Sequence, residues 1–212
     1  MRTPWSVRLA CLLVLAASLA TGCSSSKILI PPRVDLARYG TIGMIEFTSS
    51  APGDLGQQAS REFLGAVQKA QPGTPVLELG DQTRLLGELR AGAIDPETIR
   101  TLGAKYRVDA IVVGVLGAQE VKPHLSVGSS VQSLSASAVL QGALDARLFD
   151  ARSGATVWSA AARAEEPLAR VDVTGGGLAG LGASDPDAAK SRLVRGLVAR
   201  ATEDFWPHWE RQ

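Results

Sequence analysis

Apolar and polar positions alternate along this chain with two periods, and the places where the period switches mark its elements. TIGMIEF (Thr41–Phe47) is compact and apolar between Gly40 and the SSAPGD stretch, which predicts a buried strand. Asp54 is then expected to cap a helix with Ala59, Phe63, Ala66, Val67 and Ala70 on one face. QPGT breaks it, and PVLEL (Pro75–Leu79) predicts a second strand. Asp81 starts a helix carrying Leu85, Leu86 and Leu89. Asp95-Pro96 starts another in the cap-then-proline order, with Ile99, Leu102 and Tyr106 as its apolar face. DAIVVGVLGA (Asp109–Ala118) is continuously apolar, the pattern of a strand covered on both sides.

The second half alternates with period two. In VLQGALDARLFD, Leu140, Leu144, Ala146 and Leu148 share one face, and Gln141, Asp145 and Arg147 the other. Ser153-Gly154 supplies a turn with positive φ, and ATVWSAAARA returns as the partner strand. A last helix begins at Ser184-Asp185-Pro186 and keeps a 3.6-residue period through Ala189, Leu193, Val194, Leu197, Val198, Ala201 and Phe205. The predicted fold is a single α/β domain, three-layer-like. Its mixed sheet has three strands with helical crossovers plus an antiparallel hairpin, with helices packed on it and a C-terminal helix. Val113, Leu148 and Trp158 are expected in its core.

The N-terminus follows neither period. MRTPWSVR is basic, Leu9 to Ala20 is apolar, and small residues follow, which is the layout of a secretory signal over residues 1–22. The apolar run is shorter than the ~20 residues a spanning helix needs. Cys11 leaves with the signal, so Cys23 is the one cysteine of the mature chain and no intramolecular disulfide can form. Ala20-Thr21-Gly22-Cys23 resembles the bacterial lipobox. That resemblance implies that Cys23 is the lipid attachment site, acylated at the new N-terminus. With Ser24 next to it, where aspartate would hold a lipoprotein in the inner membrane, it also implies the outer membrane, facing the periplasm. Two or three acyl chains at ~0.8 kcal/mol per buried methylene give a durable anchor. Residues 23–38, with Pro31-Pro32, are expected as an extended tether, and residues 39–212 as the domain.

Charge and composition narrow the function further. The chain has 45% apolar and 20% charged residues, as in an ordinary globular protein. Its formal charge is +1; removing residues 1–22 takes away Arg2 and Arg8 and leaves 20 basic against 21 acidic side chains, a net −1. Without a basic excess or stripe, nucleic acid is not an expected partner.

Catalytic chemistry is sparse. His124 and His208 each stand alone, and no Cys/His cluster or HExxH or DxDxDG run is present. The glycine run TGGGLAGLG (Thr174–Gly182) follows a charged stretch and lacks the Lys-Ser/Thr of a phosphate loop, so it reads as a flexible loop. Glu165-Glu166, and Asp145 with Asp150, read as a solvated hairpin face. No catalytic residue, metal site or cofactor is expected, and the protein reads as a non-enzyme. In FWPHWE (Phe205–Glu210), Phe205 and Trp206 are expected to pack the end of the last helix while Pro207 stops it; the alternative makes Trp209 an interfacial or partner-binding anchor.

Three stretches together resemble a known superfamily. They are PPRVDLARYGTIGMIEF (Pro31–Phe47), KYRVDAIVVGVL (Lys105–Leu116) and the hairpin LFDARSGATVWSA (Leu148–Ala160). The chain is similar in these to the curli secretion channel lipoprotein, the lipoprotein activators of penicillin-binding proteins, and the N-terminal domain of the Tol-system protein TolB. The resemblance implies a non-enzymatic periplasmic module that scaffolds or regulates an envelope complex, with an unidentified envelope protein as partner and an oligomer compatible with it. The alternative it implies is an oligomeric outer-membrane export pore of the curli-channel type, whose subunits insert two hairpins each. The corresponding inserts here are Val121–Ser137 and Pro167–Ser184. Both fall short of two spanning strands of ~9–11 residues plus a turn, so both are expected as periplasmic loops.

Overall fold

The computed structural model describes residues 27–127, 133–174, 177–183 and 185–211. The chain divides into a large unit, Pro32–Pro207, and a small one formed by residues up to Pro31 together with His208–Gln212. Strand β1 (Lys27–Ile30) belongs to the small unit.

The large unit starts earlier than its strand pattern indicates. Asp35 accepts a hydrogen bond from Ala37 N (3.1 Å) and caps a 3-10 turn, Leu36–Tyr39, with Leu36 buried in the core. Gln71 fastens this turn: Oε1 accepts from Leu36 N (2.7 Å), and Nε2 donates to Val34 O and Phe205 O. Residues 33–38 are therefore held against the domain, where an extended tether was expected; the apolar Val34 and Leu36 are the reason.

Next come β2 (Ile42–Ile45), buried throughout, and the short β3 (Thr48–Ser49). Helix α1 (Leu55–Ala70) buries Leu55, Ala59, Phe63 and Val67, with Ala66 and Ala70 half-buried beside them. Asp54 occupies its N-cap position but its carboxylate makes no cap bond. Instead, Ser60 Oγ accepts from Phe47 N (2.8 Å) and donates to Gly56 O (3.0 Å), which joins the helix to the loop ahead of it. Strand β4 (Val76–Gly80) leads to α2 (Gln82–Leu89) and α3 (Pro96–Tyr106). The carboxylates of Asp81 and Asp95 accept from Arg84 N (2.9 Å) and Thr98 N (2.7 Å), satisfying donors that a helix start leaves free.

Strands β5 (Ala110–Val127), β6 (Ser133–Asp150), β7 (Thr156–Thr174) and β8 (Gly177–Ala183) follow as one antiparallel run. Helix α4 (Pro186–Ala201), capped by Asp185, and a 3-10 turn over Glu203–Phe205 close the unit before β9 (His208–Arg211). The large sheet has the order β4-β2-β5-β6-β7-β8, with β3 also on β5. Its β4-β2-β5 part is parallel.

Period two sorts the sheet residues into two clusters. Met44, Val112, Leu116, Leu144, Leu148 and Trp158 meet α1 and α4. Ile45, Leu79 and Ile111, of the other parity, meet Leu85 of α2 and Ile99 and Leu102 of α3. This is a mixed α/β domain, layered helix–sheet–helix along its parallel part. Only the start of β5 is covered on both faces: Ile111 is fully buried, Val113 half-buried at the rim of the second cluster, and Val115 is 51% exposed. The expectation of a buried Val113 is corrected accordingly, while Leu148 and Trp158 lie in the core.

Two glycines let these layers approach. A Cβ on Gly142 would stand 2.8 Å from Leu193 Cδ2 and 2.9 Å from Leu197 Cδ1, so α4 lies directly on β6 there. Gly154 turns the β6–β7 hairpin at φ +74° and backs onto Pro96 O at the start of α3.

In the small unit, β1 and β9 pair antiparallel, with Lys27 opposite Arg211, Ile28 opposite Glu210, Leu29 opposite Trp209 and Ile30 opposite His208. Lys27–Ile30, expected as part of the extended tether, is thus half of a ribbon formed with the far end of the chain.

Candidate functional site

The described residues of both inserts are strands, which corrects the loop expectation. β5 and β6 stay paired out to Val127 and Leu134, and β6, β7 and β8 stay paired out to the Thr174–Gly177 pair. The glycine run expected as a flexible loop supplies residues Gly177 to Gly182 of β8. The local pattern of each insert is weak because its partners are distant in sequence; pairing supplies the backbone hydrogen bonds that neither insert could satisfy alone.

The four strands form an extension of the sheet, and their register sorts its residues into cross-strand rows. Val127, Leu134, Val173 and Leu178 make one row, and Ser126, Ser135, Asp172 and Gly180 the next. Leu125, Ala136, Val171 and Leu181 follow, then His124, Ser137, Arg170 and Gly182. Apolar and polar rows thus alternate in register along β5, β6 and β7, with a register shift between Asp172 and Val173 where β8 joins them. Arg170 and Asp172 belong to the polar rows. His124, read as a lone loop histidine, also sits in a polar strand row.

Register shifts between Val121 and His124, and between Ala138 and Val139, mark where the extension leaves the domain. Pro123 lies at the first of these, where a strand tolerates a missing donor. Two edges of the extension carry no partner among the described residues: β8 ends the sheet, and β5 beyond Leu116 pairs with β6 alone.

At the root of the extension the strands carry small residues: Gly117, Ala118, Gly142, Ala143 and Ala164. They leave a cleft of about 910 Å³ bordered by Ser50, Gln119, Gln141, Arg163, Glu165 and Arg200. Gln141 Nε2 donates to Glu165 Oε1 (2.8 Å), and Arg200 Nη1 donates to Arg163 O. Glu165 is exposed as expected, but Glu166, on the opposite face of the strand, is half-buried and pairs with Arg192 of α4 (3.2 Å). The two glutamates therefore do not form a carboxylate pair. The cleft offers polar contacts and charge but no nucleophile hydrogen-bonded to a base.

The perturbed titrations are structural. Ser153 donates to the Asp150 carboxylate through Oγ and N (both 2.7 Å) and lowers its pKa, with Arg152 N assisting. Thr98 N does the same for Asp95 at the start of α3. Lys105 donates to Glu88 (2.6 Å), which lowers the glutamate's pKa and raises the lysine's. Among the described residues no three His, Cys, Asp or Glu side chains gather to hold a metal. None of their helices is long and apolar enough to cross a membrane.

Cys23 and the signal segment, residues 1–22, lie outside the described residues. Phe205 packs as expected, 4.7 Å from the Trp158 ring and 6.0 Å from Phe63. Trp206 does not; it is 40% exposed, and the carboxylate of Asp204 instead accepts from Trp158 Nε1 (3.2 Å). His208 and Trp209 stand exposed in the ribbon. The features missed at the level of sequence are the ribbon and the alternating rows. Their traces are the KILI tetrapeptide (Lys27–Ile30) and the alternations Leu125/Val127 and Val171/Val173.

No protein-family model matches the chain, and no curated protein matches it. Solved structures similar to it include the PelC dodecamer from Paraburkholderia phytofirmans, with 12% identity, 85% of this chain and 96% of that one covered, and a TM-score of 0.42. Lipoprotein GNA1162 from Neisseria meningitidis is 16% identical over 60% of this chain and 83% of that one, with a TM-score of 0.40. The LpoB C-terminal domain from Salmonella enterica is 10% identical over 72% and 93%, with a TM-score of 0.36.

Proposed function

We propose that this protein is a lipid-anchored, non-enzymatic component of the bacterial outer membrane that faces the periplasm and works by contact. The four-stranded extension is its contact element. The observation that carries this reading is the alternation of apolar and polar rows across β5, β6, β7 and β8. A sheet with an apolar face needs something to cover it, and an open edge needs a strand or a shield. The expected test is crosslinking of the lipidated protein in whole envelopes, followed by its recovery. The native chain should bring down one discrete protein, and the Leu125→Asn/Val171→Asn variant should lose at least ~tenfold of it while keeping its melting temperature, since a buried apolar pair is worth a few kcal/mol. Equal recovery by both would remove the extension from the contact.

A second reading is favoured by one specific observation: two paired hairpins per chain, with charged residues kept to the polar rows, is also the pattern of a β-barrel wall. In that reading the covering partner is the membrane, and copies of the chain join edge to edge into a ring. Length argues against it. The described extension strands, Val121–Val127, Ser133–Ala138, Ala169–Thr174 and Gly177–Ala183, at ~3.3 Å per residue and a tilt of ~40° give a height of roughly 15–18 Å, against the ~25 Å band of such barrels. Planar-bilayer recording separates the two. The contact reading expects no discrete conductance from purified lipoprotein, whereas reproducible channels lost on deleting Val121–Ser137 would establish the pore.

A further inference from the structure

The β1–β9 ribbon carries three features that converge on one ligand. In the paired strands Leu29 stands opposite Trp209, so the two share a face, and Lys27 lies two residues from Leu29 on that same face. Leu29 is 50% exposed, Trp209 is 64% exposed and Lys27 is exposed. A two-stranded ribbon is marginal in water on its own, and this one presents its largest apolar groups outward.

Position along the chain identifies what covers them. Three residues, Ser24 to Ser26, separate Cys23 from Lys27, a span of at most ~14 Å even fully extended, and Leu29 can stand no more than ~22 Å from Cys23. With acyl chains on Cys23, the ribbon is confined to the layer of lipid headgroups and the water just beyond. Indole suits that layer, because its ring is apolar and its N–H stays wet, and a lysine there meets anionic headgroups.

We infer that the ribbon is a membrane seat: Leu29 and Trp209 enter the lipid interface beside the anchor, and Lys27 meets anionic headgroups. This rests on the reading that Cys23 is acylated. The seat holds both strands of the ribbon at the bilayer.

Tryptophan fluorescence of the full lipoprotein tests this. The protein is reconstituted into vesicles of phosphatidylethanolamine and phosphatidylglycerol brominated near the headgroups, and its intact mass reads acylation separately. The mature chain holds Trp158, Trp206 and Trp209, and Trp158 is buried. Bromolipid should quench about a third of the emission, the share of one interfacial indole. Trp209→Phe should abolish the quenching and Trp206→Phe should leave it. Leu29→Ser should reduce it without releasing the protein from the vesicles. An acylated protein with unquenched Trp209 overturns the seat alone, and a Trp209 shielded from both bromolipid and aqueous iodide overturns it in favour of cover by protein, from this chain or a second copy of it. A mass without acyl chains overturns the lipoprotein reading and the seat with it.

Discussion

Replacing Trp158 with alanine should lower the melting temperature more than most single changes in this domain. Its indole is 7% exposed and lies 4.7 Å from the Phe205 ring and 6.5 Å from Phe63. It joins β7 to α1 and to the turn after α4, and its N–H donates to Asp204 (3.2 Å). Truncating a buried tryptophan to alanine costs ~3–5 kcal/mol from lost transfer energy and the cavity left behind. At ~2–4 °C per kcal/mol for a domain of this size, the midpoint should fall by about 6–20 °C. Trp158→Phe separates the contributions. It keeps most of the ring contact and removes the hydrogen bond to Asp204 Oδ2; that side chain is 30% exposed, so no buried acceptor is orphaned. That variant should lose only ~1–2 kcal/mol. Thermal and urea denaturation followed by far-UV circular dichroism read both. An alanine variant within ~1 kcal/mol of the native protein would refute the aromatic cluster as a core element. Equal losses in the two variants would move the weight from packing to the hydrogen bond.

Other positions give separate tests. Gly142→Val should force α4 off β6, because its Cβ would stand under 3 Å from Leu193 and Leu197; a cost of ~1–3 kcal/mol is expected, and an unchanged urea midpoint would contradict that packing. The Asp150 carboxylate has its pKa lowered by Ser153, so its contribution to stability is full above the unfolded value and lost as the pH falls through the folded one. The stability gap between native protein and Asp150→Asn should accordingly be widest near neutrality and close below the ordinary value of 3.8; a gap independent of pH would refute it. Cys23→Ser should yield a soluble or unprocessed product, and its correct cleavage and fractionation with outer membranes would end the lipoprotein reading.

Local signals carried much of the domain. Asp81, Asp95 and Asp185 each cap a helix at the expected place, because a cap needs only a carboxylate and the next three residues. The alternation from Leu140 to Leu148 set the strand phase of β6 for the same reason. The misses were non-local. Val113 has the composition of a core strand, yet its cover depends on where α2 and α3 end. Lys27–Ile30 becomes a strand only because residues 208–211 reach it. In the extension, each insert viewed alone has a broken pattern, and Arg170 with Asp172 looks like charge on an apolar strand. Aligned across four strands, the same residues fall into alternate rows, an order that depends on register. The expectation at Cys23 rests on its flanks alone, whereas the alternating rows became visible only with the pairing.

Site-specific photocrosslinking in living cells tests the central claim, that the extension is the contact element. A benzophenone amino acid is placed at Val173 in an apolar row, at Asp172 in a polar row, and at Ala161 on the exposed sheet face of the domain. The account predicts a discrete protein adduct from Val173, a weaker one or none from Asp172, and none from Ala161. Adducts of equal yield from all three positions, or none from Val173 in a chain present at its native level, would contradict it.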